Sequence, residues 1–135
     1  MELYEIRSGL EKARSLLNEL FVSANIEILK REIEGLTVKS EAPDFWDDQK
    51  RATKIYSKMN DMKTIVDGYE NLKNSFDELE EVYDYVKETV DADFRESLES
   101  DYMAFEKHLD EYEKTLLFDE EYDHNNALLL SLIHI

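Results

Sequence analysis

The chain has 135 residues, with 33 acids against 16 bases, one proline, three glycines and no cysteine. The absence of cysteine excludes a disulfide scaffold and thiolate metal sites; the net charge of −17 repels phosphate backbones, so no direct nucleic-acid grip is expected and a basic protein partner suits the surface better. Met1 to Glu5 lack the basic and apolar regions of a secretory signal, and the apolar run from Ala127 to Leu130 falls far short of the ~20 residues that span a bilayer, so a cytoplasmic protein without membrane contact is expected.

Leu3, Ile6, Leu10, Ala13, Leu17 and Leu20 recur at steps of three and four and predict a first helix. Phe21-Val22-Ser23 is expected to interrupt or kink it. Ile26, Leu29, Ile33 and Leu36 predict a second helix, with Glu27 and Arg31 paired on its wet side and Gly35 near its stop. Thr37 to Ala42 reads as a loop. Pro43 then biases Ala42 away from helix. Asp44 is placed to cap a third helix with Asp47 at its third position, both favourable at the positive end of a helix dipole. Phe45 and Trp46 are expected to pack onto the first two helices as an aromatic anchor, so that truncating Trp46 would cost about 3–5 kcal/mol.

The third helix has the clearest period: Ala52, Ile55, Met59, Met62, Val66, Tyr69, Leu72, Phe76, Leu79, Tyr83, Val86 and Val90. Two consecutive steps of three meet at Tyr69 and Leu72, beside Gly68, where a bend is expected. A continuous helix from residue 47 to residue 89 would be roughly 65 Å long. Asp91-Ala92-Asp93 reads as a turn, with Asp93 and Glu96 spaced as a capping pair. A fourth helix carries Phe94, Leu98, Tyr102, Phe105, Leu109, Tyr112 and Leu116 on one side. Two long amphipathic helices joined by a short turn form an antiparallel hairpin. The expected fold class is therefore all-α: an elongated antiparallel bundle of about four helices over residues 1–118. Residues 119–135 read as a polar connector followed by a strand stub from Ala127 to Ile133. A lone strand needs a sheet, so the chain is expected to continue into a larger protein.

Candidate chemistry is sparse. A di-metal carboxylate bundle needs Glu-x-x-His on two helices, and one such spacing occurs, Glu121 to His124. Asp119, Glu121, Asp123 and Asn125 alternate like calcium ligands, but His124 and Leu130 stand where glycine and glutamate are required. His108 lies on a wet helix face with no nucleophile nearby. No metal, cofactor or catalytic residue is assigned.

Three stretches carry a resemblance. They are Glu2-Leu3-Tyr4-Glu5-Ile6-Arg7, Pro43-Asp44-Phe45-Trp46-Asp47-Asp48 with the following Gln49 to Ala52, and Tyr122-Asp123-His124-Asn125-Asn126-Ala127. In order and spacing they resemble the N-terminal part of the bacterial class I peptide chain release factors of the release factor 2 type. Pro43, Asp44, Phe45, Trp46, Asp47, Asp48, Tyr122, Asp123, Asn125 and Asn126 are the signature positions, and their role is architectural. The resemblance implies a part in translation termination at UGA and UAA codons. It implies the ribosome near its stalk base, and the class II release factor, as partners. The family's decoding Ser-Pro-Phe and hydrolytic Gly-Gly-Gln motifs do not occur in these residues, so these residues alone are expected to be inactive. The competing reading from periodicity and charge is a free-standing acidic coiled-coil scaffold.

Overall fold

The computed structural model describes residues 1–121, with side chains described through residue 116. Four α-helices and one turn of 3-10 helix follow in order: α1 Leu3–Ser23, α2 Ile26–Ser40, the 3-10 turn Phe45–Asp47, α3 Gln49–Glu88 and α4 Ala92–Glu121. The all-α fold class is as expected. α3 is the spine, about 60 Å long at 1.5 Å per residue. Both α1 and α2 run antiparallel to it, end to end along its length. Arg14 of α1 meets Glu80, Phe21 meets Tyr69, and Lys30 of α2 meets Glu70. α4 returns antiparallel along the C-terminal half, bringing Phe94 to Tyr85, Phe105 to Phe76 and Tyr112 to Ile65.

This topology makes two cores. The larger lies between α1, α3 and α4 and contains Ile6, Leu17, Phe76, Leu98 and Phe105, all nearly inaccessible to solvent. The smaller joins α2 to α3 through Leu29, Met62 and Val66, flanked by Ile33, Leu36 and Ile65. The core is aliphatic and aromatic, and no charged side chain is buried among the described residues. Burial of these stripes stabilises helices whose exposed faces carry most of the charge.

The local breaks differ from expectation in several places. α1 continues unbroken through Phe21 and Val22 to Ser23. Phe21 turns inward onto Tyr69, with ring centroids 5.6 Å apart. The chain breaks two residues later, at Asn25, whose φ of 56° is left-handed. Asparagine tolerates that conformation better than most residues. α2 continues through Gly35 and the expected loop to Ser40. Gly35 stays helical because the stripe on either side of it packs on Met62 and Val66, which outweighs glycine's intrinsic cost of about 1 kcal/mol. The helix stops at Ser40, just ahead of Pro43, which lacks an amide donor and restricts Ala42.

The caps shift as well. Asp44 accepts no capping hydrogen bond. Asp48 is the cap of α3, accepting from the Arg51 amide at 3.1 Å. At the next turn Asp91, two residues ahead of the expected Asp93, accepts from the amides of Asp93 and Phe94 at 3.1 Å each. α3 then ends at Glu88, so Val90 falls off the helix and is fully exposed.

Gly68 has a packing role. α3 is continuous through it, and a Cβ there would stand 2.8 Å from the ring of Tyr112. Gly9 of α1 likewise makes room for Tyr102, since a Cβ would overlap its hydroxyl. These two close approaches seat α4 against its neighbours. The Tyr112 hydroxyl donates to the Ile65 carbonyl at 2.8 Å, and burial pushes its phenol up to about 12. Burial also raises Tyr102, with a hydrogen bond to the Glu106 carboxylate adding to the effect.

Candidate functional site

The six residues from Pro43 to Asp48 form the elbow between α2 and α3. Two backbone hydrogen bonds fold it: the Phe45 amide to the Ala42 carbonyl and the Asp47 amide to the Asp44 carbonyl, each 3.1 Å. Asp48 then starts α3 as its cap. Pro43 has no amide to leave unsatisfied as α2 ends. The clustering of proline, acids and aromatics thus has a local physical cause.

The aromatic side chains join neither hydrophobic core. Phe45, half-buried, and Trp46, 51% exposed, instead pack on each other and on Tyr56 of α3. Phe45 and Trp46 meet edge to face at 5.3 Å, Trp46 and Tyr56 are 5.6 Å apart, and Phe45 and Tyr56 6.2 Å. The physical reason is the 3-10 turn, which turns the indole outward over α3 instead of into the core. Beside the rings lies a surface hollow bordered by Lys39, Asp44, Asp47, Asp48, Arg51 and Ile55, among others. The elbow therefore offers exposed rings and charges of both signs. It can bind a partner, but it brings together no nucleophile with a base.

Tyr56 is a member of this cluster that the sequence reading did not single out. Its signal was its position: it stands off the Ala52–Ile55–Met59 stripe, so helical packing gives it no reason to be aromatic. The structure brings Pro43, Asp44, Phe45, Trp46, Asp47 and Asp48 together. The other signature positions, Tyr122, Asp123, Asn125 and Asn126, lie outside the described residues, as do His124 of the single Glu-x-x-His spacing and the expected strand at 127–133. Among the described residues no group of His, Cys, Asp and Glu stands close enough to hold a metal ion, and no helix is long and apolar enough to cross a membrane.

The elbow falls inside a longer match. Residues 29–131 fit the family model of the PCRF domain. The chain belongs to the PCRF domain family. Over 129 residues this PCRF-domain chain is 37% identical to peptide chain release factor 2 of Staphylococcus epidermidis and 35% identical to peptide chain release factor 2 of Staphylococcus aureus strain MRSA252. Each match covers 96% of this chain and 35% of the relative, so the chain spans about a third of the length of these curated relatives. The PCRF match takes in α2 from residue 29, the elbow, α3 and α4, whereas all of α1 precedes it.

Proposed function

We propose that this chain serves as the helical N-terminal part of a release factor 2-type protein in translation termination. The observation that carries this reading is the match to peptide chain release factor 2 along 96% of the chain. The fold supports it: a rigid, elongated helical body holding an exposed elbow at one end suits a positioning element better than a reaction centre. The protein would act on ribosomes paused at UGA or UAA, with peptidyl-tRNA hydrolysis depending on residues other than these. Its partners would be the ribosome near the stalk base and the class II release factor, and its place the cytoplasm. Pro43 to Asp48 would set the angle between α2 and α3 that this docking requires.

The test is complementation. The chain is exchanged for the matching segment of the Staphylococcus epidermidis factor, and the chimera is expressed in cells depleted of that factor. Restored growth supports the reading. A stable, folded chimera that leaves the cells dependent on the natural factor overturns it.

A further inference from the structure

The start of α3 breaks a local electrostatic rule. Cationic side chains at a helix N-terminus oppose the helix dipole. Yet Lys50 and Arg51 stand in the first turn of α3, and Lys54 in the second. From Gln49 to Asn60 the sequence has four bases, Lys50, Arg51, Lys54 and Lys58, and no acid, in a chain where acids outnumber bases 33 to 16. Eight of the twelve other bases are paired within the molecule, among them Arg14 with Glu80, Lys30 with Glu70, Lys73 with Asp77 and Lys114 with Asp110. Lys12, Lys39, Lys63 and Lys107 stand singly, with none grouped as the four at the start of α3 are. Among the described residues none of the four bases at the start of α3 makes an ion pair. Lys50, Arg51 and Lys54 are exposed and Lys58 is half-buried. Lys50, Lys54 and Lys58 follow one another at i, i+4 and i+8, a single row about 12 Å long. A local rule broken without compensation inside the molecule points to a partner outside it.

We infer that this row binds the phosphate backbone of RNA. The inference rests on the ribosomal reading above and names the partner class for one end of the molecule. It reverses the expectation drawn from net charge alone. Charges farther than a Debye length, about 8 Å at physiological salt, are largely screened. Most of the ~60 Å spine lies outside that range, so its acids do not decide what the row attracts. The nearest acids are those of the elbow, where Asp48 is occupied as the cap of α3, and Asp61, three residues past Lys58 at the far end of the row. A nucleic-acid strand carries one charge per ~3.4 Å of axis, so a ~12 Å row faces three or four of them. A peptide would need an acid at nearly every position to match that density. Three of the four bases are lysines, point charges that hold a backbone without reading bases.

The test measures binding of a short fluorescein-labelled RNA hairpin to the full chain by anisotropy, from about 50 to 200 mM salt. The variant K50Q/R51Q/K54Q/K58Q is compared with K12Q/K73Q/K107Q/K114Q, which removes the same charge elsewhere. Circular dichroism confirms that both fold. The row variant is expected to lose at least ~10-fold in affinity and to lower the salt slope by about 3, while the control variant changes little. The inference is overturned if the native chain does not bind RNA at the lowest salt, if both variants weaken binding equally, or if polyglutamate displaces the RNA at matched charge. The last result would assign the row to an acidic protein. The complementation assay separates the two claims. A working chimera whose chain binds no RNA sinks the site alone; RNA binding with an inert chimera sinks the functional reading alone.

Discussion

The ring of Tyr112 lies against Gly68 so closely that a Cβ on residue 68 would stand 2.8 Å from its Cε2. Alanine gains about 1 kcal/mol over glycine in a helix interior, but here it must push α4 away from α3. Gly68→Ala is therefore expected to destabilise by about 1–3 kcal/mol. Gly35→Ala meets no atom within 4 Å and is expected to stabilise by up to about 1 kcal/mol. Urea unfolding of the two variants should give opposite signs. The same sign for both would remove the case for a close approach at Gly68.

The buried phenols predict an alkaline limit. Tyr112 titrates near 12 in the folded chain, against about 10 when unfolded. Because the folded value is raised, the neutral phenol contributes its full stability below pH ~10, and that contribution is lost as pH rises toward 12. Tyr102 and Tyr69 are raised in the same direction, chiefly by burial. Unfolding free energy should fall between pH 10 and 12, and Tyr112→Phe should flatten part of that fall. An identical pH profile for the variant would show that this phenol does not drive it.

Trp46 carries less of the stability than the sequence suggests. The indole is half exposed and touches Tyr56 rather than the core, so Trp46→Ala should cost about 1–2 kcal/mol by the area it loses. Asp48→Ala removes the cap of α3 and should cost about 1 kcal/mol. Phe76→Ala, at 1% exposure, should cost about 3–5 kcal/mol. Thermal denaturation that ranks Trp46→Ala beside Phe76→Ala would restore the anchoring role.

The reversal at Asn25 gives a further expectation. Its left-handed φ of 56° separates α1 from α2. Asn25→Gly should be neutral or slightly stabilising, whereas Asn25→Ala should cost about 1 kcal/mol. Equal stabilities would mean that the left-handed conformation is not maintained.

Long-range order was legible in the sequence where a periodic stripe meets a long helix. The stripes Ile6 to Leu20, Ala52 to Val86 and Leu98 to Leu109 supply most of the buried residues, because each helix has one apolar face and a neighbour reached by a short turn covers it antiparallel. The breaks were less legible. Gly35 and Phe21-Val22-Ser23 looked like interruptions, yet tertiary burial carried both helices through them. Asp44 and Asp93 fit a capping spacing, but the neighbouring acids Asp48 and Asp91 took the role, since spacing alone leaves the first turn uncertain by a few residues. At the elbow, the residue types were visible, while the outward direction of Trp46 and its contact with Tyr56 depended on a 3-10 turn that no periodicity announces. The basic row at Lys50, Lys54 and Lys58 was present in the sequence but was masked by net charge, a whole-chain quantity that says little about one end of a ~60 Å helix.

The central claim, that this PCRF-domain chain works as part of a termination factor, is tested most directly by peptide release in vitro. A chimera holding this chain in place of the matching segment of the Staphylococcus epidermidis factor is mixed with ribosomes carrying peptidyl-tRNA at UGA, UAA or UAG. The predicted result is release at UGA and UAA within roughly tenfold of the parent factor, a loss of no more than about 1.4 kcal/mol in the barrier, and background release at UAG. A folded chimera that leaves peptidyl-tRNA intact at all three codons would contradict the account.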